Sequence, residues 1–226
     1  MRSDDLLRLF RDDVQDHVAP YFWSDEEAYQ YMNDAYFMFV RLTGGIPDAT
    51  SAACSIPIVT GERDAALSPA VMRIREAYLE SNDYELHIIN AQDMDRLSAE
   101  DYGVLRRLNN FTDPGPVQFM IIGLEDGLVR WINVPEADDT ARLVIERLPL
   151  ARITGADQDF EGVREEHHFH LLKWMRHLAY RKQDTDRFDL IKSDQEAADF
   201  FAYCEQARRE KGVRKHKVRV VSYGGL

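Results

Sequence analysis

Cysteine is almost missing from this 226-residue chain. Cys54 and Cys204 stand far apart, and no CxxC or Cys/His spacing accompanies them. That argues against a disulfide framework and against a structural zinc site, and leaves two reduced, buried thiols as the expectation. Long apolar runs are missing as well. The opening MRSDDLLRLFRDDVQ alternates charged and apolar residues, so it offers neither a signal-peptide core nor a membrane span, and synthesis in a cytoplasm with no membrane partner is expected. A Gly-x-Ser-x-Gly elbow, a Walker-type loop and a GxGxxG turn are also absent, which removes the common signatures of acyl transfer and nucleotide binding. No catalytic, metal or cofactor site is predicted.

Positive charge is scarce except in one place. The net charge is -12, yet Arg208, Arg209, Lys211, Arg214, Lys215, Lys217 and Arg219 fall within twelve residues against the single acid Glu210. That segment carries +6, so the remainder carries -18. A body this acidic repels phosphates over most of its surface, which confines nucleic-acid contact to the basic end and suggests a docking arm there.

Apolar spacing predicts the elements. Leu6, Leu7, Phe10, Val14 and Val18 recur at helical intervals after Ser3, for about four turns, and Pro20 stops them. Ser24 and Glu27 form a capping-box pattern before Ala28, Met32, Ala35, Phe39 and Leu42, with Gly44, Gly45 and Pro47 closing that helix. Between residues 47 and 161 the pattern turns to short β-rich runs (Ser55 to Thr60, Val71 to Leu79, Tyr84 to Asn90), a polar helix from Ala91 to Leu108, and a hairpin around Glu125-Asp126-Gly127. Within it, Trp131 is expected to pack against the strand ARLVIERL, whose Leu143 and Ile145 share one face. Helical spacing returns with Val163, His167, Leu171, Trp174, Met175 and Leu178. A second capping-box pattern, Ser193 with Glu196, opens a last helix that Gly212 is expected to cap, leaving residues 213–226 as a basic extended arm. The predicted fold is therefore α+β: mainly a helical bundle from residues 1–46 and 162–212, with an inserted antiparallel β-region at 47–161.

Two constellations could carry function. Glu165 and His168 have the Glu-x-x-His spacing of di-iron bundles, but no second copy exists. By helical phase His167 and His168 flank the apolar stripe, while His170 and His177 lie with Glu166, Lys173 and Arg181 on the polar side. Imidazoles pointing apart do not make a shared site. On the second helix Tyr29, Tyr36 and Phe37 fall off the Met32/Phe39 face, which is read either as a wide core contact or as an interface with a neighbouring subunit, where aromatics are enriched.

Several stretches resemble the head-to-tail adaptor proteins of tailed phages. They are APYFWSDEEAYQYMNDAYFMFVRLTGG from Ala19 to Gly45, RLPL at Arg147, HHFHLLKWMRHLAYRKQDTDRFD from His167 to Asp189, FFAYCEQARREK from Phe200 to Lys211 and HKVRVVSYGG from His216 to Gly225. The middle of the chain matches only in plan. The resemblance implies a structural virion protein at the neck between head and tail. Such a protein forms a ring, usually of twelve copies, with the portal above, a nozzle or tail tube below, and genomic DNA passing through without sequence-specific binding. Portal docking would then fall to Arg214, Lys215, Lys217, Arg219 and Tyr223. Two rival classes remain: a metal-dependent or cell-wall hydrolase using the histidine-rich helix, and a nucleic-acid-binding regulator using the Arg208 to Arg219 cluster.

Overall fold

The computed structural model describes residues 1–94, 113–183 and 188–215. The chain divides into two compact units, one made of Met1–Gly45 with Pro149–Leu226 and the other of Ile46–Leu148.

The first unit is helical: α1 (Ser3–Asp13), α2 (Asp25–Leu42), α3 (Glu165–Tyr180) and α4 (Leu190–Lys215). Helix α3 is central and packs against the other three. Its Leu171, Leu172 and Met175 are buried, as are Leu6 and Phe10 of α1 and Met32, Ala35 and Phe39 of α2. Helix α1 ends earlier than its spacing predicts, with Val14 as C-cap. Gln15 then takes a left-handed φ of 56°, and Val18, counted in the stripe from sequence, is 79% exposed. Helix α2 starts on Ser24, whose hydroxyl accepts the Glu27 N–H at 3.1 Å. It ends in a Schellman arrangement: Gly45 N–H reaches Val40 O at 2.8 Å and Gly44 N–H reaches Arg41 O at 3.3 Å. Both glycines have φ near +80°, a region that costs a residue with a Cβ.

The fourth helix corrects two expectations. Asp189, not Ser193, accepts the first-turn N–H, from Lys192 at 3.0 Å. Ser193 is fully buried inside the helix, and its hydroxyl donates to His177 O at 2.9 Å. An aspartate four residues upstream caps equally well, which frees the serine to bond across to α3. At the far end the helix runs through Gly212 to Lys215. The glycine does not take the left-handed conformation, and a Cβ there would meet nothing within 4 Å. Gly212→Ala should therefore raise stability by about 0.5–1 kcal/mol, read as a higher urea midpoint. A loss of stability would show that the helix stops there. Of the predicted arm, residues 216–226 lie outside the described residues.

The second unit overturns the prediction of a mainly helical bundle. Among the described residues it holds ten strands in three sheets. One sheet joins β10 (Asp139–Arg147) to β1 (Ile46–Asp48) and β2 (Ser55–Ile58) along one edge and to β4 (Val71–Leu79) along the other. A second has the order β3 (Asp64–Ala66), β8 (Leu128–Ile132), β7 (Phe119–Ile122) and β5 (His87–Asn90). The third pairs β6 (Pro114–Gly115) with β9 (Val134–Pro135). Alternate residues of β10, namely Ala141, Leu143 and Ile145, join Ile56, Ile58, Ile74 and Ala77 on the first sheet and Met120, Val129 and Trp131 on the second in one buried cluster. Strands that turn an apolar face to a shared interior thus close a core of their own, which is why this segment is more than an insertion in a bundle. The region is also not wholly antiparallel, since β5 pairs β7 in parallel, as does β6 with β9. Some thirty residues separate β5 from β7, long enough for the crossover that a parallel pair needs. The predicted polar helix is described only as the turn Ala91–Met94; the rest of it lies outside the described residues.

Asp48 and Arg147 tie β1 to β10. Their side chains are buried and joined by a hydrogen bond from Nε of Arg147, while Thr50 and Ser51 N–H groups also reach Asp48, at 2.9 and 3.2 Å. Burial alone would raise the Asp48 pKa, but the Ser51, Thr50 and Arg147 hydrogen bonds outweigh it and hold the carboxyl well below the usual carboxylate range. A depressed folded pKa means stability that is fully present above the unfolded value, about 3.9, and is lost as pH falls from there toward the folded one. Urea midpoints should therefore drop between pH 5 and pH 2.5, and Asp48→Asn should flatten that slope. An unchanged slope in the variant would refute the assignment.

Candidate functional site

The structure takes up the histidines one by one. His168 is buried and holds both ring nitrogens 3.0 Å from carbonyl oxygens, those of Met1 and Val163. His177, read as polar-side from its phase, is buried because α4 covers that side. Its Nδ1 lies 2.9 Å from the Ser193 hydroxyl. Nδ1 of His167 meets the Tyr203 hydroxyl at 2.9 Å, and the His170 ring stacks on Tyr203 at 3.4 Å. Burial lowers the His170 pKa, with Lys173 and His167 adding to the effect, and so favours the neutral ring. These are packing and bracing roles. Among the described residues no group of three or more His, Cys, Asp or Glu is placed to hold a metal ion.

The aromatic trio of α2 is split. Tyr36 is 1% exposed, its hydroxyl donates to Glu161 O at 2.7 Å and its ring packs edge-on against Phe160. Tyr29 and Phe37 are half-buried, with Arg152 over the Phe37 ring at 5.8 Å. The basic cluster begins inside α4. Arg208 and Arg209 are exposed, whereas Lys211 turns back to the carbonyls of Thr43 and Gly45 at the end of α2, where cations offset the helix dipole. Arg214 and Lys215 are helical rather than extended. Lys217, Arg219 and Tyr223 lie outside the described residues.

A family comparison decides what such a chain is. The model for the SU10 adaptor protein matches residues 1–221. The chain belongs to that family of phage head-to-tail adaptors. This adaptor is accordingly a structural protein of a phage particle. A search of the curated proteins finds no match.

Sequence reasoning missed one feature of the adaptor, because the pattern put Val18 in a helix. From His17 to Phe22 every residue is exposed, yet the loop is pinned from within. Asp16, 7% exposed, accepts the Phe22 N–H at 2.9 Å and the Trp23 N–H at 3.2 Å. It also receives Nη1 of Arg11 at 3.0 Å. Nη2 of Arg11 reaches Trp23 O at 3.2 Å and the Asp25 carboxylate, and the guanidinium lies 3.6 Å from the centre of the Tyr21 ring. The available signal was Asp16 itself, an acid between two apolar stretches and just ahead of Pro20.

Proposed function

We propose that this adaptor forms the ring beneath the portal, joins the head to the next tail component at the neck of the virion, and surrounds the path of the DNA during retention and ejection. The observation that carries the reading is the separation of charge. A 26-residue helix, about 39 Å long, ends in Arg208, Arg209, Arg214 and Lys215 and leads into Lys217 and Arg219, on a chain otherwise at -18. A basic end on a rigid helix suits an acidic collar on the portal, with Arg214, Lys215, Lys217, Arg219 and Tyr223 as the contact residues. Tyr29 and Phe37, half-buried on α2, would add to the boundary with a neighbouring copy. The acidic remainder lets DNA slide past without being held.

The test is co-sedimentation with portal rings of the full chain, of a chain ending at Lys215, and of the double variant Lys215→Glu with Lys217→Glu. The expected result is attachment that weakens in both variants and falls with salt, with thermal melts unchanged. Normal attachment of the shortened chain would assign its basic charge to another partner.

A further inference from the structure

Helix α3 meets α4 along a seam rich in imidazoles. Its residues His167, His170, Trp174 and His177 recur at intervals of three and four, the spacing that keeps side chains on one side of a helix. Nδ1 of His167 lies 2.9 Å from the Tyr203 hydroxyl, and the His170 ring stacks on the Tyr203 ring at 3.4 Å, 17° from parallel. Trp174 packs against Phe200 and Phe201. Nδ1 of His177 is 2.9 Å from both the carbonyl and the hydroxyl oxygen of Ser193. The three imidazoles share no ion, yet they hold one helix.

His170 differs from the other two. His167 and His177 each have a hydrogen-bond partner on α4, whereas Nδ1 of His170 is buried with no partner among the described residues. A neutral ring can leave a bare lone pair there. A protonated ring must carry an N–H on that atom, a buried donor without an acceptor on a charged group.

The surrounding charges add to the penalty. Lys173 and, when protonated, His167 act on His170 with like sign. Helix α4 brings Tyr203 and Cys204 to this corner, both with raised pKa values that keep them neutral, and α2 reaches it with Phe39, against His167 and Tyr203. The acids Glu166 and Glu210 act on Tyr203, and Glu166 lies 3.7 Å from Nε2 of His167. A cationic imidazole would gain from the Tyr203 face, but Nζ of Lys173 already lies 5.9 Å from the centre of that ring.

We propose that the seam between α3 and α4 is a pH-operated latch with His170 as its sensor: the neutral ring stacks on Tyr203 and holds α4, and protonation loosens α4 from Tyr203 toward its basic end. The latch works in the same way whatever that end binds. Burial, with Lys173 adding to it, lowers the His170 pKa in the folded chain. Protons therefore favour the open form. The hold on α4, complete above the usual histidine value of about 6.5, is lost as pH falls below it. That window lies above the one expected for Asp48.

The test is amide hydrogen exchange of the full chain at pH 7.5, 6.5 and 5.5, corrected for the intrinsic pH dependence of exchange. Amides from Phe200 to Glu210 should lose about threefold or more of their protection at pH 5.5, with about tenfold as the ceiling one unit below 6.5. His170→Phe, which keeps a ring on Tyr203 but binds no proton, should hold its protection to pH 5.5. His17→Phe, at an exposed histidine, should behave as the unmodified chain. An NMR titration of the His170 imidazole in the unmodified chain, which depends on no variant folding, should give a value below about 6.5. Protection that stays flat with pH, an equal loss in His170→Phe, or an imidazole that titrates at or above that value would each overturn the latch.

Discussion

Asp16→Ala should destabilise the helical unit by about 3–5 kcal/mol, the cost of breaking a buried ion pair from one side. The side chains of Arg11 and Asp16 are 10% and 6% exposed, so removing the carboxylate leaves a guanidinium short of countercharge and strips the acceptor from the Phe22 and Trp23 N–H groups together. Asp25 also pairs with Arg11 but is 63% exposed, and solvent screens what it can compensate. Asp16→Asn should fall between, since an amide oxygen can still accept from the backbone but carries no charge. Urea unfolding followed by circular dichroism measures both. A loss below about 1 kcal/mol for the alanine variant would mean that the loop is not held from Asp16.

Trp131→Ala should cost the strand unit about 3–5 kcal/mol. Its ring is completely buried among Leu143, Ile145, Met120 and Val129, at the meeting of two sheets that have no other aromatic of that size in their shared cluster. The indole Nε1 has no hydrogen-bond partner there, so Trp131 contributes through volume and contact rather than through a bond. Trp131→Phe should accordingly cost much less than the alanine variant, because it keeps most of the ring and removes an unpaired N–H whose burial is unfavourable. Calorimetry should show the loss in the transition of the strand unit while the helical unit keeps its own. Equal losses for the two variants would show that an acceptor satisfies the indole, and an unchanged alanine variant would place the ring outside the core.

Much of the chain was legible where one local rule dominates. A β-rich run found β4 at its observed bounds, and alternation aligned Leu143 with Ile145. The Glu125-Asp126-Gly127 turn predicted a hairpin, and β7 and β8 do pair antiparallel across it, with Phe119 opposite Ile132. Ser24, Gly44 and Gly45 marked both ends of α2, since caps act within one turn of their own position. The same local rules failed where two neighbours competed. Asp189 displaced Ser193 as cap, and Gly212 was absorbed into a helix because nothing nearby required a left-handed residue.

The sequence by itself determined the family, through stretches matched from one end of the chain to the other, together with the separation of charge, the helix faces and the strands of the middle segment. Only the tertiary structure decided that those strands close a core of their own, that His177 and Tyr36 are interior residues, and that Val18 to Phe22 stand out from the surface on a buried ion pair. The physical reason is that periodicity records which residues must leave water, a property of each segment alone. What covers them depends on partners more than a hundred residues away, such as Glu161 for Tyr36, or on a helix packed from the far side, such as α4 over His177.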